Sequence, residues 1–268
     1  MKILVFMSDN RPISPTMEAA DYNSLAAIIN YQYCKKHGYD FYYHQTYYKE
    51  IENPLNITTC VDLSGNLRHA SWAKLISALD LGKKPYDLAV YIDSDCIFKD
   101  HSQTLENYIE SCKNKDMIFL TNFMNGYSRG IPLPCAGFFI FKVNKKTRSF
   151  IKDWYEYDLK ERNTNLYWEQ DALWLHMYKL PPRLDYLSEL YEFKIPNREI
   201  NPLFCVKDEF WFSEKEGQYI LHVCHVVDQH RIPYFTNFIN GNGFDYGVLA
   251  KEILADKFKQ LDTSTYYK

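Results

Sequence analysis

No stretch of this chain approaches about 20 consecutive apolar residues, so no segment has the make-up of a membrane span. There is no CxxC pair. The seven cysteines (Cys34, Cys60, Cys96, Cys112, Cys135, Cys205 and Cys224) are odd in number, which argues against a zinc ribbon or a disulfide scaffold and for a reducing compartment. Basic charge is not in surplus: 31 Lys and Arg face 34 Asp and Glu, and the net charge is -3. A general nucleic-acid binder would carry the opposite balance. Glycine is missing from "SDNRPISP", the connection after the first apolar run, so the glycine-rich phosphate loop of a nucleotidyltransferase is missing too. The opening "MKILVFMSDNRP" has an apolar run of only five residues, too short for a signal peptide. Repeats, low-complexity tracts and linkers are also lacking. The expectation is one domain over residues 1–268 of a soluble cytoplasmic protein, with peripheral attachment to a membrane left open.

What is present is a core. Hydrophobic residues make up 46% of the chain, enough to exclude global disorder. The 23 tyrosines offer apolar bodies with polar tips, which suit a sugar-binding cleft, although compositional bias is the favoured explanation.

Residues 2–8, "KILVFMS", read as a buried strand. In "MEAADYNSLAAIINYQYCKKHG" the apolar residues fall at helical spacing, Lys35, Lys36 and His37 suit the C-terminal dipole, and Gly38 suits the position past the end. Residues 39–44 read as a strand, 53–66 as turns, "LRHASWAKLISALDLGKK" as a helix and "DLAVYIDSD" as a strand buried on both faces. A short helix, "SQTLENYIESCKN", precedes the strand "DMIFLTN", a Gly/Pro-containing loop (125–134) and the strand "CAGFFIFKV". Asn144 is placed to cap the helix "KKTRSFIKDWYEYDLKER", and "WEQDALWLHMYKL" is a further helix stopped by Pro181 and Pro182. A late strand lies in "EGQYILHVCHVV", followed by an Asn/Gly-rich loop (228–243) and a last helix over 246–261. Strands alternate with helices, so the expected class is α/β with a mixed, mostly parallel sheet flanked by helices.

The chemistry gathers at "LAVYIDSDCIF". Residues i and i+2 of an extended backbone point to one side, so Asp93 and Asp95 aim at a common point beyond a strand end, where open α/β sheets bind ligands. Two close carboxylates repel unless a cation lies between them. An acidic turn and a metal site are both consistent with the motif alone. "WEQDALW" adds Glu169, Gln170 and Asp171 at a helix start, which the helix dipole explains and which Trp168 and Trp174 would partly bury. "LHVCH" adds His222 and His225, with His222 and Cys224 on one strand face.

These segments, in this order, resemble a GT-A type glycosyltransferase, and most closely the galactosyl/xylosyltransferase group, glycosyltransferase family 34. The similarity runs over roughly residues 2 to 230. It implies a Rossmann-like nucleotide-sugar-binding half (about 1–120), an acceptor-binding and catalytic half (about 121–245) and a C-terminal helix (about 246–261). It implies that Asp93 touches ribose or metal, that Asp95 and His222 ligate the metal, and that Lys74 lies near the diphosphate. Met7, Ser8 and Asp9 would lie against the nucleotide, and Gln170 and Asp171 beneath the donor sugar. The implied reaction moves a hexose or pentose from a nucleoside diphosphate, UDP first among them, to a hydroxyl of a glycan or glycoconjugate, with retention at the anomeric carbon. An imidazole ligand tilts the metal toward Mn²⁺, with Mg²⁺ the alternative. Arg231 or His230 would close over the diphosphate and exclude water. Asp171 would stabilise positive charge on the sugar or act as base.

Two departures stand out. Cys135 takes the place of an amide that could hold a sugar hydroxyl, and "VCHVVDQHR" lacks the glycine-containing turn that follows the family's histidine. Other readings are a catalytically silent nucleotide- or sugar-binding protein of the same fold, a sugar nucleotidyltransferase, and a phosphatase with an Asp nucleophile. The last would carry its acidic pair after the first strand, with Thr or Val where Ile97 stands.

Overall fold

In the computed structural model of the chain, residues 1–49, 58–61, 65, 67–121, 134–157, 168–178, 204–207, 219–223 and 228–267 are described. The Gly/Pro-containing loop, the C-terminal end of "KKTRSFIKDWYEYDLKER", Pro181, Pro182, Cys224 and His225 lie outside them.

Eleven strands and seven α-helices are found among the described residues. β1 (Ile3–Asp9) leads to α1 (Tyr22–His37), β2 (Asp40–Tyr47), β3 (Thr58–Val61), β4 (Leu67–His69) and α2 (Ala73–Leu81). There follow β5 (Leu88–Ile92), β6 (Cys96–Phe98), α3 (Leu105–Ile109), β7 (Met117–Thr121), β8 (Pro134–Lys142), α4 (Lys145–Glu156) and α5 (Trp168–Met177). β9 (Phe204–Lys207), β10 (Ile220–His222), α6 (Asp228–Gly241), α7 (Tyr246–Glu252) and β11 (Phe258–Asp262) complete the series.

Seven strands form one sheet in the order β11-β2-β1-β5-β8-β7-β9. The pairs β11–β2, β2–β1, β1–β5 and β7–β9 are parallel, while β8 runs antiparallel to both β5 and β7. This is the mixed, mostly parallel sheet expected from the sequence. Strands from both expected halves share it.

Strand periodicity divides the core in two. Ile3, Val5 and Met7 of β1 pack on one face with α1, α6 and α7. Leu4 and Phe6 pack on the other with α2, α4 and α5. A strand covered on both faces must be apolar, and β5 and the Ile3–Met7 stretch of β1 are, with Ser8 and Asp9 left at the strand end. Helix ends follow their residues. Gly38 takes a left-handed φ of 73° past α1. Asn144 and Thr147 form a reciprocal capping box at the start of α4.

Four expectations need correction. The helix expected from Leu67 begins at Ala73, and Leu67–His69 is instead strand β4, paired antiparallel with β3 inside the segment 53–66 that was expected as turns. The segment 228–243 is mostly helix: Ile232, Phe235 and Ile239 recur at helical spacing, and Phe235 and Ile239 are buried, while asparagine and glycine gather at the helix end. The helix expected over 246–261 stops at Glu252, passes through a π-turn (Ile253–Lys257) and becomes edge strand β11. One buried position in five residues of β11 shows no alternation to read. Finally, Cys112 and Cys205 are joined in a disulfide across 93 residues, a pairing that spacing alone does not reveal.

Asn144→Ala removes the cap of α4 and is expected to cost about 1 kcal/mol, lowering Tm by about 2–4 °C in scanning calorimetry. An unchanged Tm would show that the cap carries no stability.

A candidate metal and nucleotide site at the end of the central strands

β5 ends at Ile92, and the Asp93 N–H donates to the Gly137 carbonyl of neighbouring β8 at 2.8 Å. The Cys96 N–H closes a tight turn on the Asp93 carbonyl at 3.0 Å. The acidic stretch is therefore a turn as well as a cluster. β6 then pairs antiparallel with β10, setting His222 opposite Cys96, and the Val223 N–H donates to the Asp95 carbonyl at 3.0 Å. Asn30 on α1 braces β6 from behind: its amide donates to the Cys96 carbonyl at 2.9 Å and accepts from the Phe98 N–H at 3.0 Å.

This framework brings Asp93, Asp95 and His222 together, with one ligating atom from each lying within 4.8 Å of the others. His222 Nε2 is 3.0 Å from Asp95 Oδ1 and 3.9 Å from Asp93 Oδ2. Lys74, only 3% exposed, reaches Asp93 Oδ1 at 3.1 Å and Glu169 Oε1 at 2.7 Å. Arg231 Nη2 lies 3.3 Å from Asp95 Oδ2, and its Nε donates to the Val223 carbonyl at 3.0 Å. The Tyr91 hydroxyl donates to Asp93 Oδ1.

Charge sets the protonation of these groups. Burial alone would raise the Asp95 carboxyl, but His222, Arg231 and Lys74 outweigh it and hold the group down at about 2. Asp93 is pushed up, by burial first and by Asp95 second, against the pull of Lys74. Burial would lower Lys74, yet Asp93 and Glu169 raise it. Glu169 stays low because Lys74 overcomes its burial. Three carboxylates thus face Lys74, Arg231 and the His222 imidazole; with the imidazole neutral, as a metal ligand must be, one negative charge is left over. Two carboxylates and an imidazole form a mixed oxygen–nitrogen donor set, which fits a divalent cation such as Mn²⁺ and suits all-oxygen Mg²⁺ less well.

The other expected residues distribute around this centre. Met7 is fully buried in the core, with its sulfur 3.6 Å from the Asn30 amide. The Ser8 hydroxyl meets that of Ser77 at 3.2 Å. Asp9 is bound by Arg11 at 2.7 Å. Gln170 accepts from the Ala136 N–H at 3.0 Å, which leaves its amide NH2 group as the donor. Arg231 stands on a helix where a loop was expected, and His230 is exposed. Asp171 has no exposed surface, and neither carboxyl oxygen has a hydrogen-bond partner among the described residues. Burial, reinforced by Glu169, pushes it up to about 8.

Sequence reasoning missed three contributors. Arg11 binds Asp9 and Asp21, reaches the Ser94 hydroxyl at 3.4 Å and stacks over Tyr22, so it ties the end of β1 to the acidic turn. A single arginine in a proline-containing loop gives no pattern. Tyr91 had a signal, since it lies two residues before Asp93 on one strand face. Gly137 had one as well, as a glycine within a bulky strand marks a close approach. A Cβ there would lie 2.3 Å from His222 Cε1 and 2.9 Å from Asp93 Oδ2.

The sheet order and its flanking helices are those of GT-A architecture. A solved glycosyltransferase involved in glycosylating the major capsid of PBCV-1 superposes with a TM-score of 0.52 at 16% identity, over 87% of this chain and 98% of that one. The galactosyltransferase LgtC, solved with donor and acceptor sugar analogues, gives 0.45 at 14% identity over 89% and 95%. GlyE of Streptococcus pneumoniae gives 0.42 at 15% identity over 94% and 63%. No curated protein matches the chain. Residues 29–235 match the sequence model of the nucleotide-diphospho-sugar transferases, and the chain belongs to that family.

Gly137→Ala is expected to displace His222 or Asp93 and weaken Mn²⁺ binding at least tenfold, in a protein that still folds. Titration with Mn²⁺ followed by electron paramagnetic resonance measures it, and native affinity in the variant would contradict the crowding. A second expectation concerns Asp171. Folded, it keeps its proton to about pH 8, whereas an unfolded aspartate loses it near pH 3.9. Folding therefore retains a proton between these values, and stability falls as pH rises, by up to about 1.4 kcal/mol per unit. Asp171→Asn removes this slope. Its unfolding free energy relative to the native protein should climb from pH 4 to 8 in urea titrations, and a constant difference would refute the assignment.

Proposed function

We propose that this protein is a metal-dependent glycosyltransferase that moves a hexose or pentose from a nucleoside diphosphate, UDP being the first candidate, to a hydroxyl of a glycan or glycoconjugate. The observation that carries the reading is the meeting of Asp93, Asp95 and His222 at the end of β5, inside one network with Lys74 and Arg231. Asp93, Asp95 and His222 would hold a divalent ion, Mn²⁺ in preference to Mg²⁺. That ion supplies Lewis-acid stabilisation of the departing diphosphate.

The chain's own groups divide the remaining work. Lys74 keeps Asp93 oriented and is itself saturated by Glu169, so it acts on the donor through the carboxylate. Arg231 adds a fixed positive charge beside Asp95, at the side where a diphosphate would lie. Ser8 and Asp9 end the strand next to β5 and form the nucleotide side of the cleft, with Asp9 held by Arg11. Met7 supports them from the core. Of the three polar residues that open α5, Gln170 is the one left to bond a sugar hydroxyl. Glu169 is the counter-ion of Lys74, and Asp171 at neutral pH is a proton-bearing acid. The reading assigns strands β1 to β7 to the nucleotide and the later segments to the acceptor. Retention at the anomeric carbon is carried over from the family resemblance.

The test is calorimetric titration with UDP and Mn²⁺, joined to a screen of sugar nucleotides for hydrolysis and transfer, with product anomers read by NMR. Asp95→Ala should abolish Mn²⁺-dependent UDP binding while circular dichroism stays native. Unchanged binding in that variant removes the metal assignment. Binding without turnover of any donor would identify a silent nucleotide-binding protein.

A further inference from the structure

His222 arrives on a strand of three residues, whose pairing with β6 fixes its backbone but not its ring. Two side-chain torsions remain to be set. On one edge of the imidazole, Nε2 faces Asp95 Oδ1 at 3.0 Å. On the other edge, Nδ1 lies 3.6 Å from Cys135 Sγ, within hydrogen-bonding range for sulfur. The missing side chain of Gly137 leaves room for the ring between them. The sulfur is itself held: Cys135 is buried in β8 opposite Leu120, and the Gly137 N–H donates to Sγ at 3.4 Å.

We propose that Cys135 is a positioning residue for His222, its sulfur anchoring Nδ1 so that Nε2 is presented to the two carboxylates. Nε2 can offer a lone pair to a cation only when the proton of the neutral ring is on Nδ1, and a buried N–H needs an acceptor. Ligating histidines ordinarily find that acceptor in a carboxylate or carbonyl oxygen. Here the group in place is a thiol. Sγ stands on the side of the ring away from Asp95, so it acts through the ring and does not join the donor set. The inference rests on the reading of Asp93, Asp95 and His222 as a metal centre.

The experiment compares native protein, Cys135→Ala and Cys135→Ser. Mn²⁺ affinity is measured by electron paramagnetic resonance, alone and with UDP, and the imidazole ¹⁵N shifts of His222 are recorded in metal-free protein at one pH. Alanine removes the acceptor and should weaken Mn²⁺ binding roughly 10- to 100-fold, the range seen when a ligand's outer partner is lost. Serine keeps an acceptor and should restore most of the affinity. Native affinity in Cys135→Ala overturns the proposal. So does a serine variant as weak as the alanine one, since the effect would then be packing. If native protein binds neither Mn²⁺ nor UDP, the metal reading fails, and the ¹⁵N shifts still decide the contact. A Nδ1 shift altered by alanine and kept by serine supports it, and shifts indifferent to both overturn it.

Discussion

Lys74 holds two carboxylates in a place from which water is largely excluded, and the arrangement of the site depends on that contact. A buried ion pair contributes little net stability over apolar packing, because desolvation offsets the attraction. Breaking one is a different matter: removing a partner strands a charge, at about 3–5 kcal/mol. The Lys74 bridge therefore makes α2, the end of β5 and the start of α5 rigidly dependent on one another. It also explains why Glu169 lies so deep, and why its neighbour Gln170 is left as the polar group at the surface of α5.

A second constraint is the direction of β8. Because it runs against β5, its early residues, Cys135 to Gly137, lie at the edge where β5 ends. A strand parallel to β5 would bring its last residues there. The reversed strand supplies a carbonyl to Asp93, an N–H to Gln170 and a sulfur to His222 within three consecutive residues. Backbone groups on a paired strand move little, so the ligands they orient start close to their working positions.

Much of this was legible in the sequence wherever one local signal sufficed. The apolar run before Asp93, the glycine after α1 and the asparagine before α4 each state their own conformation. The acidic pair, His222 and the polar start of α5 were recognisable through their order along the chain. What could not be read depends on partners distant in sequence. The pairing of β6 with β10, the edge strand β11 and the Cys112–Cys205 bridge have no local signature. Arg231 was misplaced onto a loop because the asparagines and glycines near it outweighed a weaker apolar period. Asp171 was expected to carry charge. Only its complete burial, which composition does not disclose, shows that it keeps its proton.

Gly137 has a consequence for descent. Every other amino acid brings a Cβ, so position 137 has no neutral substitute while His222 keeps its place. The two positions can change only together, with something smaller than imidazole at 222 allowing a side chain at 137. The neighbouring thiol faces no such lock. A lineage drifting from this sequence is free to exchange residue 135 for another acceptor long before it can touch the glycine two places on.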